Sequence, residues 1–146
     1  MAAYFDLGIS DAGFTAGEDL SASSKQYRFV ALTSASNNAV VLATGASLPV
    51  PVGVLQNSPC QFEEAQVRLL GATKLLVSAS QDVNQTGGSP IYAGNWLISG
   101  ACGAGIKVTP GTASPAMARA LENGPTTGYA YINVLLLPGT FHLSAS

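Results

Sequence analysis

One succession of residues occurs twice in this chain. Gly53-Val54-Leu55-Gln56-Asn57-Ser58-Pro59, then a polar loop and Ala65-Gln66-Val67-Arg68-Leu69-Leu70-Gly71-Ala72-Thr73, read as strand, turn and strand. The same order returns as Ala120-Leu121-Glu122-Asn123-Gly124-Pro125 followed by Tyr131-Ile132-Asn133-Val134-Leu135-Leu136-Leu137-Pro138-Gly139-Thr140. Asn57 and Asn123 stand 66 positions apart, as do Pro59 and Pro125, while Thr73 and Thr140 stand 67 apart. Ser78-Ala79-Ser80 also recurs 66 positions on, as Ser144-Ala145-Ser146. A fixed offset with a one-residue indel is the mark of a duplicated β unit. Two copies are too few for a stacking array, which needs about three, so a pseudo-symmetric sheet or barrel is expected.

The rest of the chain agrees with an all-β domain. Tyr27 to Leu32 and Ala39 to Thr44 are rich in β formers and flank a polar loop, which predicts a hairpin. Val50 to Leu55 reads as a third strand, with Pro51 and Gly53 placing it at an edge or a bend. Ala65 to Leu70 alternates, and Lys74 to Ser78 reads as a separate fifth strand after a Gly71-Ala72-Thr73 joint. Gln81 to Gly94 reads as a long surface loop. Beyond it come Asn95 to Ser99, Ile106 to Thr109, Ala116 to Leu121 and Ala130 to Leu137. Propensity alone would allow a helical turn at Ala116 to Glu122, and the duplication favours a strand. Short strands at 8–12-residue spacing, with Gly and Pro turns, give a small β-barrel or sandwich with Val54, Val67 and Leu69 in its core.

Residues 1–24 carry Tyr4, Phe5, Phe14 and Leu20 among Gly, Ser, Ala and Asp, with neither helical nor strand period. They read as an extended N-terminal arm that becomes ordered by docking, leaving residues 25–146 as a single β domain. Three aromatics in so short a stretch of an aromatic-poor chain make them the expected anchors.

Charge is scarce. Asp, Glu, Lys and Arg make up 10% of the 146 residues, against about 25% in an average domain. None falls between Arg28 and Glu63, and beyond Glu122 only His142 can carry a charge. Ser, Thr, Asn, Gly and Ala fill those places, an exterior suited to being covered by protein partners. The six basic residues are scattered and the net charge is −2, which excludes the basic stripe of a nucleic-acid binder. Pro, Gly, Ser and Asn interrupt every uncharged stretch before about 18 apolar residues accumulate, so no membrane span is expected. The N-terminus has neither a basic region nor an apolar one, so it does not read as a signal peptide, and the chain is expected in the cytoplasm where it is made unless it leaves in a particle. Cys60 and Cys102 read as two unpaired residues in a reducing compartment, a disulfide being open to them only if the fold brings them together.

Catalytic chemistry finds no foothold. His142 is the sole histidine, which removes His-based metal clusters and leaves one His general base, beside Phe141 at a strand end. Adjacent Glu63 and Glu64 would point to opposite faces of a strand. Glu18-Asp19 lacks the ligand series of a cation site. Gly87-Gly88-Ser89 has no Lys and no helix after it, and no serine lies in a nucleophile motif. No enzyme activity, cofactor or metal is expected. Trp96 and Tyr92, beside the long loop, offer a second reading, as the platform of a carbohydrate-binding or adhesin module.

Phe14-Thr15-Ala16-Gly17-Glu18-Asp19-Leu20-Ser21 leading into Tyr27-Arg28-Phe29-Val30, then Val52 to Asn57, Ala65 to Gly71 and Val134 to Leu137, resemble the capsid cement, or head decoration, proteins of tailed bacteriophages. The likeness spans about residues 14–138. It implies a compact, β-tulip-like domain, commonly a homotrimer, bound to the exterior of an expanded capsid, where it bridges major capsid subunits and holds the shell against internal pressure. It supplies no catalytic residues. The aromatic arm is longer than a minimal member of that family needs.

Overall fold

The computed structural model describes residues 10–45, 51–79, 90–108 and 115–142. Nine strands run through them: β1 (Ser10–Ala16), β2 (Phe29–Leu32), β3 (Ala39–Leu42), β4 (Pro51–Leu55), β5 (Glu64–Ser78), β6 (Trp96–Ser99), β7 (Gly105–Lys107), β8 (Pro115–Ala120) and β9 (Tyr129–His142). A single 3-10 turn, Ser23–Lys25, is the one helical element among the described residues. The fold is all-β, as the turn spacing and the absence of an amphipathic period require, and Pro115–Ala120 is a strand.

The pairings close two five-stranded rings that share β5. In the first, β1 lies parallel to β3, β3 antiparallel to β2, β2 to β4, β4 to β5, and β5 returns antiparallel to β1. In the second, β5 lies parallel to β7, and β7, β6, β8, β9 and β5 follow one another antiparallel. The duplication therefore extends to topology and to register. Ala31 opposite Val41 in the first ring becomes Leu97 opposite Lys107 in the second, both partners 66 positions on. The pairs Val30–Gly53 and Val54–Arg68 likewise become Trp96–Arg119 and Ala120–Val134.

The shared strand corrects one expectation. Lys74 to Ser78 is not a separate strand after a joint at Gly71; β5 runs unbroken for 15 residues. Gly71 has φ 101°, a left-handed value that a glycine adopts without a steric penalty. There the ladder passes from one neighbour to the next. Ser10 on β1 pairs with Leu70, and Leu136 on β9 pairs with Gly71.

Alternation divides the core between the rings. Val30, Val40, Leu55 and Val67 pack with Ala16 and Leu20 inside the first ring. Phe29, Ala31 and Val54 point the other way, into a larger cluster with Leu75, Val77, Leu97 and Val134. Strands β2 and β4 are thus apolar on both faces, which is why their sequences show runs of apolar residues instead of a clean alternation. Val54 and Val67 are fully buried, and Leu69 is partly buried against the first cluster. Pro51 sits at a register shift between Val30 and Ala31, so the bend, and not a free edge, is what accommodates it.

The arm assigned to residues 1–24 is corrected from Ser10 onward. Ser10–Ala16 is a strand of the first ring, and Leu20 is completely buried. At Gly13 the flexible Glu64 side chain lies over the strand, its carboxylate 2.7 Å from where a Cβ would stand. Leu20 N–H donates to the Pro59 carbonyl at 3.0 Å and fastens the segment after β1 to the turn before β5.

Candidate interaction surface

Where the first ring ends, away from the second, the turn Cys60–Glu63 enters β5 and is held on all sides. Phe62 N–H donates to Ala16 O (2.8 Å), Ala16 N–H to Glu63 O (2.8 Å), and Glu63 N–H to Cys60 O (3.1 Å). Cys60 N–H donates to Glu63 Oε2 (2.8 Å), and Gln61 Nε2 to Gly17 O (3.2 Å). This scaffold turns the Phe62 side chain outward, 78% exposed. Beside it lies an open hollow of about 420 Å³ lined by Gly13, Phe14, Thr15, Asn38, Phe62 and Glu64.

A second hollow, of about 270 Å³, marks the junction of the rings. Ser23, Gln26, Tyr27, Lys74 and Tyr131 line it. Tyr27 and Tyr131 meet edge to face, with centroids 6.2 Å apart and planes at 83°. Tyr129, Tyr131 and Leu121 are also exposed.

The residues singled out from sequence have separate fates. Tyr4 and Phe5 lie outside the described residues. Phe14 is half-buried and lines the first hollow, so it shares a surface with Phe62. Leu20 belongs to the core and presents nothing to a partner. Tyr92 is 52% exposed, its N–H received by Asn95 Oδ1 at 2.8 Å. Trp96 is half-buried beside Ile98 and Ile106, and the Arg119 guanidinium stands 5.4 Å from its ring centroid. A cation already occupies one face of the indole, the position a sugar ring would take on an aromatic platform. Neither hollow is lined by Tyr92 or Trp96.

Carboxylates here serve the backbone. Glu18 Oε1 accepts the Leu42 N–H at 2.9 Å, Asp19 Oδ1 accepts the Ser21 N–H at 2.9 Å, and Glu122 Oε1 accepts the Asn133 N–H at 2.8 Å. Among the described residues no group of three or more His, Cys, Asp or Glu side chains is placed to hold a metal ion. Cys60 and Cys102 are both exposed free thiols, not joined to each other. Arg68 pairs with Asp11 at 2.8 Å, tying β5 to β1 at the surface.

Bonds from the Ser21 side chain and Ser21 N–H hold the Asp19 carboxyl below its ordinary value of 3.8. A lowered folded-state value means its support of the loop is in place above 3.8 and is lost as the pH falls through that lowered value. Thermal melts between about pH 5 and pH 3 should show a slightly smaller acid-induced fall in Tm for Asp19→Asn than for the wild type. Equal falls would remove Asp19 from the account.

Sequence reasoning missed Phe62, the most exposed of the large apolar side chains described. The signal was present in the duplication, which sets Phe62 against Gly128, 66 positions on.

The fold is similar to that of the N base of head fiber gp8.5 of bacteriophage phi29. The TM-score is 0.60 at 15% sequence identity, and the match covers 92% of this chain and 98% of that one. No protein-family model and no curated protein matches the sequence.

Proposed function

We propose that this chain is a structural protein of a phage virion, bound to the outer surface of the expanded head. The observation that carries the reading is the fold it shares, over nearly the full length of both chains, with the base of a phage head fiber. Three features of the chain support it. Charge is depleted, as on a surface that partners cover. Three carboxylates, Glu18, Asp19 and Glu122, accept backbone N–H groups and so hold the fold. Exposed aromatics, Phe62, Tyr129 and Tyr131, are the kind of side chain that dominates binding energy in protein interfaces.

In this reading the chain is made in the host cytoplasm and assembles as a homotrimer. It bridges major capsid subunits, with Tyr4 and Phe5 ahead of β1 and Phe14 within it as contacts. Many weak attachments of this kind stabilise a shell collectively. Purified expanded heads lacking this protein should take up the recombinant chain to saturation and resist heating better afterwards. Cryo-electron microscopy should then find it outside the shell, three copies to a site. No uptake, or density confined to the interior, would refute the proposal.

A further inference from the structure

Among the described residues, three non-glycine residues adopt a left-handed backbone: Tyr27 (φ 61°), Asn38 (φ 53°) and Phe62 (φ 71°). The corresponding turns of the second ring use glycine, at Gly94 (φ 90°), Gly103 (φ 73°) and Gly128 (φ 72°). For a bulky residue this conformation is strained. Two of the three have an internal reason. Tyr27 reaches Tyr131 across the ring junction, and asparagine tolerates the left-handed region. Phe62 has none: its side chain leaves the protein, and its sister turn reaches the same φ with Gly128. A strained, solvent-facing aromatic in place of the glycine its own duplicate uses is an outlier of the kind found at functional sites.

The surroundings specify what would cover it. On the edge of β1 that faces away from β5, pairing with β3 begins only at Thr15, opposite Ala39. Among the described residues no strand pairs with that edge from Asp11 to Gly13, and both residues are exposed. An open main-chain edge selects an extended polypeptide. The half-buried Phe14 and the exposed Phe62 select an apolar side chain on it. Charge on the rim comes from Glu63 and Glu64, while Arg68 is taken up by Asp11. That balance favours a segment carrying Lys or Arg over an acidic one. The turn is fixed by its own hydrogen bonds before any partner arrives, so little ordering is left for binding to oppose.

We infer that Phe62, Phe14 and the free edge of β1 form a docking face for an extended, basic segment of the head shell, with Phe62 as its anchor. The inference rests on the reading of the chain as a head-surface protein. Its test is Phe62→Gly in the full chain, scored on expanded heads purified without this protein. The variant relieves the left-handed strain and should melt higher than wild type, by roughly 3 °C, yet bind heads at least about tenfold more weakly. Glu64→Gln should bind more weakly too, and with a flatter dependence on salt.

Wild-type binding with undiminished binding by Phe62→Gly overturns this inference and leaves the proposed function standing. A wild type that fails to bind heads refutes the function, and the docking face with it. A change in the oligomeric mass of Phe62→Gly at unchanged head binding would assign the face to a second copy of the chain, and so overturns the inference as well.

Discussion

Deleting residues 1–17 is expected to destroy the cooperative thermal transition of this protein. The deletion removes all of β1, whose register runs antiparallel along β5 from Ser10 opposite Leu70 to Thr15 opposite Glu64. It also takes Ala16 and Phe14 from the first cluster and opens one side of Leu20 and Val67 to water. At about 1 kcal/mol net per hydrogen bond and about 25 cal/mol for each Å² of apolar surface, the loss is several kcal/mol. A typical domain has only about 5–15 kcal/mol to lose. Damage would not stay in one ring, because β2 and β4 serve both clusters. Circular dichroism melts and limited proteolysis provide the measurement. A deleted chain that melted cooperatively within about 5 °C of wild type would show that β1 is dispensable.

Gly53→Ala should be the most damaging conservative substitution. A Cβ at Gly53 would stand 2.2 Å from the carbonyl oxygen of Arg68 and 2.7 Å from Val67 Cγ1. Backbone cannot swing aside as a side chain can, so β4 would have to move off β5 and disturb the wall the two rings share. A loss of about 3 kcal/mol or more in urea unfolding is expected. Gly45→Ala is the control, since nothing lies within 4 Å of its Cβ position and an effect within about 0.5 kcal/mol is expected. Similar losses at both positions would mean that β4 tolerates displacement.

Most of the strands could be read from the chain because their side chains carry the signal. Phe29-Val30-Ala31-Leu32 and Ala39-Val40-Val41-Leu42 are rich in β formers, and the 66-residue offset favours a strand at Ala116 to Leu121, where propensity alone allows a helical turn. β1 escaped notice for a physical reason. Ser10-Asp11-Ala12-Gly13-Phe14-Thr15-Ala16 does alternate, with Ala12, Phe14 and Ala16 against Asp11, Gly13 and Thr15, but two of the three inward side chains are alanines, so the period carries almost no hydrophobic signal and the strand is held chiefly by ladder pairing to β5. β5 reads as two strands because Gly71-Ala72-Thr73, a glycine followed by small residues, has the composition of a turn. Only the structure shows the ladder changing partners there without a break. Among the residues expected to make contacts, Phe14 stands out in the sequence by its aromatic character, and it lines the first hollow. Phe62 lies in a polar turn, and only its contrast with Gly128, 66 positions on, marks it in the sequence; its left-handed backbone is visible in the structure alone. Leu20 was misplaced because burial at a single leucine between strands has no periodicity to report it.

The single long β5 also gives the molecule the character of a spacer. Two rings joined by a flexible linker could swivel, but here one continuous strand of 15 residues forms a stave of each ring, and no hinge is available between them. At about 3.3 Å per residue that strand spans at most about 50 Å. The turn bearing Phe62 sits where it begins, and Tyr129 pairs with Ser78 where it ends. Anything gripping both exposed aromatics would be held at a set separation, as by the jaws of a caliper.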